Sequence, residues 1–325
     1  MDTGQFVSTC TTEALVRAAH ALKSGSLVAF PTETVYGLGA NASDVHAVKR
    51  IYEVKGRPTD HPLIVHIASM QGIDDWVINI PDFAISLGRA FWPGPMTLIL
   101  NRSVLAQDFI TGGQDTVGIR VPNHPIALAL LNEFEKVGGK GVAAPSANRF
   151  GHVSPTTAEA VNNELAKFLS HDDLILDGGP SQVGVESTII DCTSDIPKIL
   201  RPGAITEEMI EKVTGLQVDA SSSSVRASGT LEQHYAPRAK VFLLDAVNPV
   251  VACIVGVGFL ALAKFPTPDG AIRLAAPESD AEYARVLYDA LREGDRRNLP
   301  AIYVVPPAGE GVAVAIRDRL HRASA

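Results

Sequence analysis

Ser26-Leu-Val-Ala-Phe30 runs straight into Pro31-Thr-Glu-Thr34-Val-Tyr36-Gly-Leu-Gly39, and the fold is decided there. A short apolar run closed by proline reads as a buried strand entering a loop. Just upstream, Ala14, Leu15, Ala18, Ala21 and Leu22 recur at helical spacing between Thr11 and Lys23, and Gly25 ends that segment. Helix, strand and then a hydroxyl-bearing loop flanked by glycine is the pattern of an α/β unit with a ligand loop at the carboxyl edge of its sheet. A tight turn in which Thr34 and Tyr36 satisfy local backbone groups is the plainer alternative.

The alternation continues along the chain. Helices are expected over Val45 to Lys55, Pro81 to Phe91, Pro125 to Glu135 and Thr157 to Phe168. Strands are expected at 63–67, 97–100, 117–121, 142–144, 174–176, 187–191 and 199–201. The first fold assignment is therefore an α/β domain with a twisted mixed sheet. From Asp219 to Pro237 apolar periodicity vanishes behind a serine run, Ser221 to Ser224, which reads as a linker. That linker still carries Gln233-His-Tyr235-Ala-Pro237-Arg238, more chemistry than a spacer needs. Strand-like runs at 241–244, 258–262 and 301–305 then alternate with helices near Asp280 to Arg292 and Gly311 to Arg322, the spacing of a small parallel, Rossmann-like α/β domain. The expected division is 1–217, a linker or lid at 218–238, and 239–325.

Composition narrows the function. The 325 residues are 46% hydrophobic, enough for a real core in each of two domains. The net charge is −8, and up to Leu216 there are 16 Lys+Arg against 24 Asp+Glu. A broad nucleic-acid surface is thereby excluded and any RNA contact is expected to be weak, whereas a small cationic pocket stays open. Cys10, Cys192 and Cys253 have neither zinc-ligand nor disulfide spacing, which fits a reducing cytoplasm. Asp2 and Glu13 argue against a signal peptide. The apolar stretch from Val250 to Ala263 falls short of the roughly 20 residues a membrane helix needs.

No P-loop motif occurs, and Gly256-Val-Gly258 precedes a strand-like run instead of opening a helix, so neither usual nucleotide fingerprint applies. Lys55-Gly-Arg57 ends a helix; the two cations either offset the dipole or converge on anionic oxygens. His66, at a strand terminus, is a structural histidine or a ligand contact. Arg120, in an apolar strand, pairs with a carboxylate such as Asp115 or receives an anion. Ser146-Ala-Asn148, Glu186-Ser187-Thr188 and Arg201-Pro-Gly203 are each weak alone.

As a set, the segments at 31–39, 55–57, 91–100, 118–122, 146–148, 186–191 and 200–203 resemble the YrdC/Sua5 family of threonylcarbamoyl-AMP synthases. The resemblance covers about residues 10 to 215, and the linker with a second domain is similar to the longer Sua5 branch. It implies a YrdC-like catalytic domain that joins L-threonine, bicarbonate or CO2, and ATP into threonylcarbamoyl-AMP and pyrophosphate. That reaction is the first step in modifying adenosine 37 of tRNAs that read ANN codons, and the product passes to a tRNA threonylcarbamoyltransferase complex. It further implies that Thr34, His66, Arg120, Ala144 and Ser187 hold threonine. Lys55, Arg57, His61, Thr116, Ser146, Asn148, Ser154, Arg201 and Tyr235 surround ATP, with Lys55 and Arg57 catalytic and Mg2+ carried by the ATP phosphates. His61 departs from the family, which usually has Asn there. A carbamoyl-phosphate-using carbamoyltransferase and an RNA-binding module are the rival expectations.

Overall fold

The computed structural model describes residues 6–221, 223–229, 235–245 and 255–325. Ser222, Gln233, His234, Cys253 and the start of the 250–263 apolar stretch lie outside the described residues. In chain order the first part comprises β1 (Val7–Thr9), α1 (Thr12–Lys23), β2 (Val28–Phe30), β3 (Gly37–Asn41), α2 (Val45–Lys55), β4 (Ile64–His66), α3 (Asp82–Phe91), β5 (Met96–Asn101), α4 (Asp108–Thr111), β6 (Thr116–Arg120), α5 (Pro125–Lys136), β7 (Val142–Ala143), α6 (Ala158–Leu165), β8 (Leu174–Asp177), β9 (Thr188–Asp191), β10 (Lys198–Arg201) and α7 (Glu207–Thr214). The second comprises β11 (Lys240–Leu243), β12 (Gly258–Leu260), β13 (Ile272–Ala275), α8 (Asp280–Arg296), β14 (Ala301–Val304) and α9 (Val312–Ser324).

Among the described residues, one ten-stranded sheet runs β1-β8-β2-β3-β7-β4-β6-β5-β9-β10, with parallel and antiparallel pairs mixed. A second sheet, β11-β14-β12-β13, is wholly parallel. Both follow from short, apolar strands alternating with capped helices. Asp44 caps α2 by accepting from His46 and Ala47, and Gly56, at φ 62°, ends it in the left-handed conformation that a side chain would oppose. Helix α2 is thus fixed at both ends and delivers Lys55 and Arg57 to one place.

The register of the large sheet builds one face. Parallel pairing sets His66 beside Arg120, and Ile64 beside Gly118. Antiparallel pairing sets Ile99 against Gly118, and parallel pairing sets Thr97 against Ile189. Side chains two apart share a face, so Arg120, Gly118 and Thr116 line up along β6. Over this face lies the chain at 223–229, here called the strap: Val225 and Ala227 pack with Ile64, Ile99, Ile189 and Leu200. Its polar groups are tied down as well, Ser223 to Asp191 (3.0 Å) and Arg226 to the Gly112 carbonyl (2.7 Å) and Gln114 (2.7 Å). The linker expected to be a loose tether is therefore fastened wherever it is described. Among the described residues, polar ties invisible to a search for apolar periodicity share the fastening with Val225 and Ala227.

The two units meet at α8 and α9. Gly184 (φ 83°) approaches α8 so closely that a Cβ would come 2.3 Å from the Ala284 carbonyl oxygen, which reserves the position for glycine. Nearby, Arg292 donates to the Val153 carbonyl and pairs with Glu164 at 2.8 Å.

Candidate active site

A cavity opens between the edge of the large sheet and the strap. Thr34, Arg57, His66, Arg120, Ala144, Ser146, Ser187, Arg201 and Tyr235 all line it, nine of the residues expected at the site from sequence. They come from β2–β3, α2, β4, β6, β7, β9, β10 and the linker, segments far apart in the chain. Its volume is about 50 Å3, well below the roughly 300–1,000 Å3 of small-molecule sites. The strap accounts for the deficit, since Ser228 and Gly229 form part of the lining.

One end is built around an ion pair. Arg120 meets Glu33 at 2.7 Å, both side chains about 5% exposed. This corrects the pairing of Arg120 with Asp115 considered from sequence: Asp115 precedes β6 at its opposite end, is solvent-exposed, and lies 3.6 Å from Arg102. Thr34 and Thr32 share a hydroxyl contact of 2.8 Å beside the pair. His66 is fully enclosed; burial, with the nearby Arg120 charge, pushes its pKa down to about 3. The imidazole is therefore neutral and hydrogen-bonds without charge. In the unfolded chain it titrates near 6.5, so between pH 6.5 and 3 the unfolded state binds more protons and stability falls as pH falls. His66→Gln is expected to remove that part of the acid sensitivity, on the order of a few kcal/mol, in urea melts at pH 7 and pH 4.5. Equal pH dependence in the two proteins would count against a neutral His66.

The other end is cationic. Arg57 donates to the Pro62 carbonyl (3.0 Å) and Ser228 Oγ (3.1 Å). Arg201 donates to the Ser187 carbonyl (2.9 Å) and Oγ (3.1 Å) and to the Ser228 carbonyl (2.9 Å). Ser187 Oγ is also 2.8 Å from Thr97 Oγ1. Among the described residues, every hydrogen bond of these two guanidinium groups goes to a neutral oxygen. Burial, reinforced by Arg201, holds the Arg57 pKa down to about 10. Two cations held close without a carboxylate on either form a receptor for a polyanion.

The remaining expected residues stand outside the lining. Lys55 is buried behind the wall, donating to the carbonyls of Ser146 (2.6 Å) and Asn148 (2.5 Å), and burial with the Arg57 charge holds its pKa well down. Here it fixes the 146–148 loop. Asn148 donates to the carbonyls of Arg149 (2.7 Å) and His152 (2.8 Å). Ser154 donates to Glu186 (2.6 Å). His61 packs edge-on against Phe150, and Arg57 lies over the same ring. Thr116 is four residues before Arg120 on the same strand face, about 13 Å away. Tyr235, expected on an exposed tether, is 1% exposed and belongs to the core of the second unit, stacked on Tyr288.

Sequence reasoning did not single out Thr32, Ile64, Glu186, Ser228 or Gly229 as lining residues. Thr32 lay in a quoted motif, and Ser228-Gly229 follows the serine run of the linker. Gly229 (φ 79°) is held where a Cβ would come 2.2 Å from Tyr235 Oη.

As to metals, the described residues contain no group of three or more carboxylate, imidazole or thiolate donors. Among the described residues the one carboxylate in the lining, Glu186, is engaged by Arg319, and Glu33, behind the lining, by Arg120. This donor set does not fit a resident magnesium ion. No described helix is long and apolar enough to cross a membrane.

Comparison with known proteins agrees with this architecture. The family model described as "Telomere recombination" (Sua5/YciO/YrdC) matches residues 20–203, and that of the "Threonylcarbamoyl-AMP synthase, C-terminal domain" matches 205–325. A threonylcarbamoyl-AMP synthase of Pyrococcus abyssi is 41% identical over 94% of this chain and 93% of its own. One from Bacillus subtilis is 40% identical over 95% and 92%. The solved structure of P. abyssi Sua5 complexed with L-threonine is similar with a TM-score of 0.85 at 38% identity, covering 98% of this chain and 96% of that one. The chain belongs to the Sua5/YciO/YrdC family, in the branch that carries the threonylcarbamoyl-AMP synthase C-terminal domain.

Proposed function

We propose that this protein is an L-threonylcarbamoyladenylate synthase, a nucleotidyltransferase that makes threonylcarbamoyl-AMP and pyrophosphate from L-threonine, bicarbonate or CO2, and ATP. The observation that carries the reading is the convergence of Arg57 and Arg201, which bond to no carboxylate among the described residues, next to the enclosed Arg120–Glu33–His66 end. The family membership and the threonine-bound relative support it. Arg120 receives the threonine carboxylate, while Thr34 and neutral His66 take its hydroxyl and amine.

The neutral amine adds to CO2 with release of one proton to water, or to bicarbonate with loss of water, and yields a carbamate. A carbamate oxygen then attacks the α-phosphorus, the bond from that phosphorus to the bridging oxygen breaks, and pyrophosphate leaves. Such a step needs alignment and charge neutralisation more than a side-chain nucleophile. Arg57 and Arg201 supply both, aided by the hydroxyl of Ser146. Mg2+ enters as part of the MgATP substrate.

The strap must lift to admit ATP, since Ser228 occupies both arginines. Lifting it uncovers an apolar floor of Ile64, Ile99 and Ile189 that runs from Arg120 toward Thr116. A nucleotide lying on that floor gives Thr116 a ligand-facing position. Gly118 is the low point: a Cβ there would already be 3.1 Å from Ile99 and 3.4 Å from Ile64. Gly118→Val is therefore expected to weaken ATP binding by about tenfold or more in calorimetry, with threonine binding unchanged; unaltered ATP affinity would remove the nucleotide from this floor.

The product is expected to pass to a tRNA threonylcarbamoyltransferase. Pyrophosphate release measured with threonine, bicarbonate and ATP, and in parallel with carbamoyl phosphate and ATP, tests the assignment. Release that ignores threonine would falsify it.

A further inference from the structure

Arg319 of α9 is among the largest fully buried side chains of the molecule, yet it lies over 110 residues from two of its partners. Its Nε donates to Glu186 (2.9 Å) and an Nη to the Pro202 carbonyl (3.0 Å), both in the first unit; the other Nη meets Asp318 (2.5 Å). Tyr288 of α8 donates to the same Glu186 oxygen (2.8 Å), and Ser154 donates to the other (2.6 Å). The Arg319 guanidinium also lies 5.3 Å from the centroid of the Tyr235 ring, which stacks on Tyr288.

Glu186 lines the cavity beside Ser187 and Arg201. A carboxylate there is a hazard for a site that must attract phosphates. Burial alone would raise its pKa, but Arg319 and Arg201 hold it down to about 2, so it is ionised. Two arginines thus face one anion, and the one that satisfies it decides what the other is free to do. Arg319 and Tyr288 take the bonds; Arg201 makes none to Glu186 and points instead at Ser187 and Ser228.

Building on the function above, we propose that Arg319 and Tyr288 of the C-terminal unit are positioning residues of the active site: by occupying Glu186 they leave Arg201 available to the phosphates of ATP. The C-terminal unit thereby completes the nucleotide end of the cavity without touching substrate. Without Arg319, Glu186 is a buried carboxylate short of a partner, and the nearest cation is Arg201. Their pairing would withdraw the cation from ATP and leave the threonine end as it was.

The test is a rescue. Steady-state pyrophosphate release and thermal melting are measured for the wild type, Arg319→Met, Tyr288→Phe and the double variant Arg319→Met/Glu186→Gln. Arg319→Met is expected to raise the KM for ATP about tenfold while the threonine KM stays within about twofold. Glu186→Gln in the same chain removes the competing charge and is expected to bring the ATP KM back to within about threefold of wild type. An ATP KM in Arg319→Met equal to wild type, or a double variant no better than the single one, overturns the inference. Should Arg319→Met not fold, Tyr288→Phe decides, with an ATP KM raised about threefold expected and an unchanged one contradicting it. A wild type lacking threonine-dependent release overturns the proposed function itself, an outcome distinct from these.

Discussion

Arg57→Met is expected to lower kcat/KM for ATP-dependent pyrophosphate release by about 10^2- to 10^3-fold while leaving the melting temperature unchanged or slightly raised. The two effects separate because Arg57 is a buried cation beside a second one, bonded among the described residues only to Pro62 and Ser228 oxygens. A guanidinium kept there for an absent anion destabilises the fold on its own account. A methionine fills the same volume and removes the repulsion from Arg201. A drop in melting temperature as large as the drop in activity would return Arg57 to the role of a helix-end counter-charge for α2.

Arg120→Met should behave in the opposite way. Its removal strands Glu33, about 6% exposed, without its cation, and breaking such a pair costs about 3–5 kcal/mol. Melting is expected roughly 5–10 °C lower, and the KM for threonine about 100-fold higher because the substrate carboxylate loses its receptor. Adding Glu33→Gln should restore the melting temperature and leave threonine affinity poor. Recovery of both would mean that Arg120 serves only the fold, and recovery of neither would mean that Glu33 has a partner beyond Arg120.

Where sequence alone was read correctly, local physics and tertiary packing agreed. Helix α2 spans the expected Val45–Lys55, since Asp44 and Gly56 are strong end signals that need no tertiary help. Strand β3 was read as loop because it opens Gly-Leu-Gly. Its glycines serve packing: a Cβ on Gly39 would lie 2.7 Å from Val142 and 2.8 Å from Phe30, so the sheet can pass only where the chain has no side chain. Helix α7 presents one fully buried side chain, Ile210, and at eight residues is too short to stand out along the sequence. Strand β13 is half-buried throughout and four residues long, and was missed for the same reason.

The candidate site was more legible than the linker. Residues such as Arg57, Arg120 and Arg201 announce themselves as charges among apolar or small neighbours. Tyr235 gave the right kind of residue and the wrong environment: a polar, serine-rich stretch hides that one aromatic side chain is enclosed by another unit. Tyr235→Ala is therefore expected to disturb the core of the C-terminal unit, which a residue of a plain linker would not do. Arg319 and Tyr288 sit in amphipathic helices where a charge and an aromatic ring read as ordinary surface and core. Only the packing of α8 and α9 on Glu186 gives them another meaning.

The strap rests on its isoleucines through little more than Val225 and Ala227, which is worth about 1–3 kcal/mol of apolar contact. Its hydrogen bonds to Asp191, Arg57 and Arg201 involve charged groups, the stronger kind, and add to that contact. Each 1.4 kcal/mol of net closing energy makes the open form about tenfold rarer. If the nucleotide enters only the open form, this latch taxes its capture, and the apparent ATP affinity is expected to fall below the intrinsic one by the fraction of molecules that stand open.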